Sequence, residues 1–520
     1  MKKLLTGLIA VALMFGGILA CTQQESQTKA ASDVKAPSTE VSTTSGYAQD
    51  NYPNTTAKTK SPIGALEYKG GFPTQPTIDI AFDQLDRQRA TQAYLEFMPM
   101  TSVNSIFDSH IRDNGMMAGD VGVYIEQGAG KATTIGLTYN TESIYASAFT
   151  DLGKDGPTVV ETPPNVLGVV DDGWQRWLTD LGNAGPDKGK GGKYLLLPPG
   201  YEGDIPEGYF IVKCPTYRNW VMVRGFIQDT GTGEQALKYY STRFRIYPLA
   251  TGPRSNAKYV SLSHVKGNTT HARDVSYFDQ LNQIVQHEPA SAFTRYELGL
   301  LKALGIEKGK EFAPDTRMQK LLAEGIQIGE AIAKANAYAN RLEGIRIYDD
   351  RKYEYLFMGG RHDFMSGDAL WIDARTLFHY EAIVVTPAMA AKMVGIGSQY
   401  LACYRDSNDD FLMGDNVYQL TLPKNIPAKN FWSVTVYHPD TRSLLQNGMP
   451  KPSVSTYDKP DMNPDGTTTI WFAPDAPKGK EKNWVKTIPG EGWEILIRLY
   501  GPLEPFFEQT WKPNDIKKVK

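Results

Sequence analysis

GYFIVKC (residues 208–214) and NWVMVRGFI (219–227) decide how this chain reads. Both are short runs of branched and aromatic residues, the side chains that fit a pleated, half-buried surface. Similar runs alternate with Gly, Pro and Asp clusters from about Thr77 to Pro248, a spacing that predicts an antiparallel β domain. FDQLDRQRATQAYLEFMPM (82–100) precedes them. Its apolar positions Leu85, Ala93 and Leu95, set among Arg and Gln, predict a helix lying on that domain.

Working outward, the texture turns helical from Ser276 to about Arg346. Asp315 is placed to cap a helix in which Met318, Leu321, Leu322, Ile326, Ile332 and Ala335 recur at three-to-four spacing, a stripe expected to pack in a core. Thr386 and Pro387 open a further helix signal in TPAMAAKMVGIGSQYLA. Strands then dominate: NFWSVTVYH (430–438), TTTIWFA (467–473) and WEILIRLYG (493–501) suggest a sandwich closed by its own C-terminal strand. The expected class is mainly β with helices (α+β).

The start of the chain reads differently. MKKLLTGLIAVALMFGGILAC carries two lysines and then a short apolar run, the form of an export signal. Its end, Ile18-Leu19-Ala20-Cys21, resembles the lipobox of bacterial lipoproteins, which makes Cys21 the expected lipidation site. In that family a residue other than aspartate after the cysteine directs the protein to the outer membrane, and here it is Thr22. The expected partner is therefore a membrane, held through a lipid anchor at Cys21. The Ser-, Thr-, Gln- and Pro-rich stretch that follows cannot bury enough surface to offset its chain entropy, so it reads as a tether reaching roughly 40 Å. The predicted organisation is a signal peptide (1–20), a tether (21–75), an N-terminal β domain (76–260), a helical connector (270–350) and a C-terminal β-sandwich domain (365–520).

Composition excludes some classes. A net charge of -3 and a pI near 6.2 give no global attraction for nucleic acid. Beyond Cys21 only Cys214 and Cys403 remain, too few for cysteine-metal chemistry, and their apolar contexts suit buried free thiols as well as a bridge.

The spellings of familiar sites fail. No G-x-S-x-G occurs, and His287-Glu288 is followed by Pro289 and lacks the second histidine of a zinc helix. Asp406 to Asp410 spells half a calcium loop, but Phe411 stands where the glycine belongs, so a turn is expected. AGPDKGKGGKYLLLPPGY (184–201) looks like a phosphate loop. Its lysines are followed by Gly191 and Tyr194 rather than Ser or Thr, and it leads into a strand rather than a helix. It reads as a flexible, solvated lead-in. The acids around His362 and His379, with Asp363, Asp368 and Asp373, have a spacing that does not by itself show convergence. No metal and no cofactor is expected.

Two polar groups remain as candidates. Asn140, Glu142 and Tyr145 fall within TYNTESIYAS, where an amide beside a carboxylate either orients a substrate or ties down a turn. Trp174, Arg176, Arg224 and Arg405 supply the aromatic and cationic groups that line sugar or anion sites.

TYNTESIYAS, DLGKDGPTVVETPP, KGGKYLLLPPGYEGDIPEGYF and CPTYRNWVMVRGF resemble the bacterial family called domain of unknown function 1254. TPAMAAKMVGIGSQYLACYRDSNDDFLMGDNVYQLTLP, NFWSVTVYHPDTRSLLQN and ILIRLYGPLEPFFEQTWKP resemble its usual partner, domain of unknown function 1214. The resemblance implies two antiparallel β-sandwich or jelly-roll-like domains joined by a helical segment, with assembly into homo-oligomers allowed. Members of the first family read Asn-x-Asp followed by Tyr; Asn140 and Tyr145 match that pattern, whereas Glu142 replaces the aspartate.

The expectation that follows is a cell-envelope lipoprotein that binds an extracytoplasmic ligand, a glycan or other envelope component, between its two β domains. The alternative is a hydrolase in which Asn140, Glu142 and Tyr145 position or activate water and Arg224 or Arg405 stabilises developing negative charge.

Overall fold

The computed structural model describes residues 58–125, 134–263 and 265–519. Cys21 and the signal segment lie outside the described residues. The chain forms two compact units, the first ending at Ala81 and the second running from Phe82. In the first, Lys58–Ser61, Gly64–Lys69 and Phe72–Pro73 make a small antiparallel sheet inside the stretch read as tether.

The fold is α+β. A 40-residue helix, Gln75–Asn114, is far longer than the 82–100 segment predicted. The predicted segment ends at Met100, just after Pro99, but the helix continues past both, and Val103, Ile106 and Phe107 beyond them are buried. A six-stranded sheet follows, ordered Tyr259–Ser261, Val121–Tyr124, Ile144–Asp151, Arg218–Gly225, Leu167–Asp171, Trp177–Gly182. A four-stranded sheet runs Phe210–Lys213, Gly192–Leu197, Thr158–Thr162, Arg245–Pro248. Strand alternation explains how they meet: Val221 and Val223 of one sheet join Val160, Tyr194 and Leu196 of the other in one buried cluster. The sheets are not purely antiparallel. Gly192–Leu197 pairs parallel with Phe210–Lys213, and Val121–Tyr124 parallel with Tyr259–Ser261, because the chain returns through long connections rather than hairpins.

The connector contains helices Ser276–His287, Arg295–Ala303 and Thr316–Tyr338. Asp315 caps the last of these, its Oδ1 accepting from Met318 N at 2.7 Å. The buried face differs from the predicted stripe. Leu321, Leu322 and Ile326 are buried, but Ile332 and Ala335 face outward, and Gly325, Gly329 and Ala333 take the inner positions. A Cβ at Gly325 would sit 2.4 Å from the Ala90 side chain, and one at Gly329 would sit 2.6 Å from Tyr94. The two helices touch almost backbone to backbone, which a larger residue would forbid.

The last part holds two further four-stranded sheets. One runs Ser398–Cys403, Glu494–Pro502, Ala428–Tyr437, Ser453–Ser455; the other runs Trp484–Lys486, Thr468–Ala473, Tyr418–Leu422, Lys517–Lys518. Leu401, Val434, Ile495 and Ile497 from the first meet Leu420, Ile470 and Phe472 from the second in one core. The strand containing WEILIRLYG is central rather than closing, and the edge is completed by Lys517–Lys518. The helix signal at Thr386 holds for a single turn, Pro387–Ala390, capped by the Thr386 hydroxyl. Gly395 and Gly397 then take positive φ and turn the chain into a strand. Among the described residues no helix is long and apolar enough to cross a membrane. Cys214 and Cys403 are both buried and free.

Candidate functional site

A cavity of about 90 Å³ opens between the outer face of the six-stranded sheet and the sheet built on Glu494–Pro502. The pleat creates both walls. On Arg218–Gly225, Val221 and Val223 point into the domain core, so Trp220, Met222 and Arg224 share the opposite face and line the cavity. On Glu494–Pro502, Ile495, Ile497 and Leu499 enter their own core, which turns Leu496, Arg498 and Tyr500 the other way. Leu496 and Arg498 line the cavity directly. The end of helix Ile372–Glu381 and the chain after it add Phe378, Ile383, Val384 and Met389 as an apolar side.

The polar groups gather at one end. Arg224 lies opposite Tyr145 in the sheet register, and Arg498 lies opposite Tyr400. The Arg224 guanidinium sits 4.9 Å from the centre of the Tyr500 ring, and its Nη1 donates to Ser398 Oγ at 3.1 Å. Arg498 donates to the Tyr437 hydroxyl and, at 2.7 Å, to the carbonyl of Thr138. Asn140 donates to the Tyr500 hydroxyl. The loop before Ile144–Asp151 is thereby fastened to the second wall.

Burial disfavours the charge on Arg224, yet its pKa lies above the usual guanidinium value, with Tyr145, Tyr500 and Tyr400 beside it and the Tyr145 hydroxyl accepting a hydrogen bond from it. Arg498 behaves likewise beside Tyr437, Tyr500 and Tyr400. Burial raises the pKa of Tyr400 and of Tyr500, so both stay neutral. At another part of the lining, burial pushes Asp180 up to about 6, a shift reduced by the hydroxyl of Thr386, which donates to its carboxylate.

Three of the residues singled out in the sequence meet here: Asn140, Tyr145 and Arg224. Glu142 does not line the cavity. It is fully buried beside it, its Oε1 accepting from Thr141 Oγ1 at 2.6 Å, Ser453 Oγ at 2.8 Å and Lys451 Nζ at 3.2 Å. Trp174 lies in a core with Phe97 and Phe293, donating to Ala292 O. Arg176 pairs with Asp172 at 2.7 Å. Arg405 stacks on Phe411 and donates to Asp409 O. None of these three is part of the cavity lining. Arg498, Tyr400 and Asp180 were missed. Arg498 carried a readable signal, a lone cation inside the apolar run EILIRLY.

The other motifs resolve as local structure. Asp187 fills the loop that resembled a phosphate site, accepting from Gly182 N at 2.8 Å, Gly191 N at 3.0 Å and Tyr194 OH at 2.6 Å. The loop is an ordered turn that carries its own anion, not a flexible lead-in. Asp406 organises its own turn by accepting from the amides of Asn408 and Asp410. Asp363 is held by Arg361, and His379 is buried against Phe364 and Phe378.

The walls of the cavity coincide with two family matches. Residues 123–248, which include Tyr145, Trp220 and Arg224, match the family described as Protein of unknown function (DUF1254). Residues 397–504, which include Tyr400, Leu496 and Arg498, match Protein of unknown function (DUF1214). Among solved structures the chain is similar to the VPA0106 protein from Vibrio parahaemolyticus, at 16% identity, with 84% of this chain and 100% of that chain covered and a TM-score of 0.49. It is also similar to an uncharacterized protein from Burkholderia cenocepacia, at 13% identity, with 85% and 96% covered and a TM-score of 0.39. No curated protein matches the chain.

Proposed function

We propose that this protein is a binding protein of the bacterial cell envelope, which takes up a small, largely apolar organic ligand between two β-sandwich domains without chemistry. The observation that carries this reading is the cavity, shared by the two matched segments and walled by Trp220, Met222, Phe378, Ile383 and Met389. Its volume accommodates roughly six to nine water-sized positions, enough for a compact organic molecule. An apolar lining with a few convergent polar groups is the usual character of a ligand site. It suits an apolar molecule better than a glycan, whose hydroxyls would need many more partners. The hydrolase alternative needs Glu142 at the water, but Glu142 lies outside the cavity lining, its Oε1 accepting from Lys451, Thr141 and Ser453.

The resemblance of Ile18-Leu19-Ala20-Cys21 to a lipobox, the basic and apolar leader before it and Thr22 after it support anchoring to the outer membrane. The test of binding is organic extraction of the purified full chain, followed by mass spectrometry and by titration with hexan-1-ol. A stoichiometric molecule or saturable uptake is expected for the natural chain and not for Met389→Trp, which fills the apolar side. Absence of both in the natural chain would overturn the reading.

A further inference from the structure

Two arginines face this cavity from opposite sheets, and neither is met by a carboxylate. Arg224 and Arg498 flank the same two phenols, Tyr400 and Tyr500, and both line the space or reach its edge. Arg375 and Arg273, also partly buried, are ion-paired, with Glu96 at 2.8 Å and Asp440 at 2.9 Å, whereas buried Arg442 is met by the carbonyls of Tyr380 and Asp440 and does not line this cavity. Among the described residues no Asp or Glu oxygen lies within ion-pair distance of Arg224 or Arg498. The tyrosines cannot supply the missing charge, because burial keeps them protonated. Glu142, which acts on Tyr500, already has Lys451 as its ion partner. Asp180 stands two strands across and two residues along from Arg224 in the sheet, a backbone separation of roughly 12 Å. An uncompensated guanidinium taken out of water is costly, and an anion brought to it recovers that cost.

The two arginines are not equivalent. Arg498 is committed to Tyr437 and to Thr138 O, so it is fixed in place and supplies field. Arg224 is bound to the hydroxyls of Ser398 and Tyr145 and lies over the Tyr500 ring, with no backbone carbonyl on it among the described residues, and it lines the cavity, which leaves its fork able to meet a ligand there. The planar fork matches a carboxylate in two parallel hydrogen bonds. Beyond that head, Trp220, Met222 and Leu137 offer a dry surface for a hydrocarbon or aromatic body.

We infer that the ligand is an amphipathic organic carboxylate, its head on Arg224 within the field of Arg498 and its apolar body against Trp220 and Met222. This rests on the binding reading above and narrows it to one ligand class. The experiment is calorimetric titration of the full chain with hexanoate, hexan-1-ol and inorganic phosphate, repeated on Arg224→Met and Arg224→Lys, with melting curves to confirm that each variant folds. Hexanoate is expected to bind at least tenfold more tightly than hexan-1-ol, with the ratio near one in Arg224→Met and partly restored in Arg224→Lys. Equal binding of acid and alcohol by the natural chain would overturn the carboxylate assignment while leaving the cavity reading intact. Binding of phosphate but not hexanoate would overturn it in favour of a free inorganic anion. Binding of none of the three would remove both readings.

Discussion

Asp180 shows how one side chain in a half-dry cavity couples pH to the state of the whole protein. Burial raises its pKa to about 6, against about 3.9 for an aspartic acid in an unfolded chain. The folded state therefore holds the proton more tightly than the unfolded state. Its penalty is absent below about pH 4, grows as pH rises through about 6, and is complete above that. That difference corresponds to about 3 kcal/mol. Asp180→Asn keeps an oxygen for the Thr386 hydroxyl but has no charge to bury. It is expected to raise the melting temperature at pH 8 and to change it little at pH 4, a difference that scanning calorimetry at the two pH values would measure. A gain independent of pH would show that the carboxylate is not the source. The same titration bears on the inferred carboxylate ligand, since a neutral Asp180 removes a like charge from the lining.

At the scale of elements, the close helix contact makes a sharper claim than the periodic stripe. Gly325→Leu places a branched side chain where a single Cβ already meets Ala90 at 2.4 Å, so a loss of about 3 kcal/mol is expected on chemical denaturation. Ile332→Ala, one of the stripe positions, is exposed and is expected to change stability by less than about 0.5 kcal/mol. The reverse order would mean that the helix packs through its Ile face. The strands themselves were legible because branched and aromatic runs bounded by turn residues have few other solutions. Which face of a strand reaches the cavity was not legible. All nine residues of Glu494–Pro502 are buried, so no polar alternation marks the outer face, and after Glu494 only Arg498 is charged. Tyr145 and Arg224 could be picked out singly, but their meeting with Arg498 depends on pairings between segments far apart in sequence. Trp174 and Arg405 have the same chemistry as true lining residues, and only packing separates them from the site.

At the scale of the whole molecule, the joint between the two matched segments is polar and buried. Glu142 of the first accepts from Lys451 and Ser453 of the second, and Lys451 also donates to Asp458 at 2.7 Å. Burying an ion pair is a weak source of net stability, but removing one partner strands the other in a dry place at a cost of about 3–5 kcal/mol. Lys451→Met is therefore expected to lower the denaturation midpoint strongly. Glu142→Gln in that background removes the stranded charge and is expected to recover part of the loss, so the two changes together cost less than their sum. The loop that carries Glu142 also presents Asn140 to Tyr500, and Arg498 reaches Thr138 O in it, so loosening the joint opens the wall of the cavity. Hexanoate titrated into Lys451→Met should bind more weakly than in the natural chain, and Glu142→Gln should restore that affinity in step with stability. Additive losses with unchanged hexanoate affinity would show that the ion pair neither joins the two segments nor shapes the site.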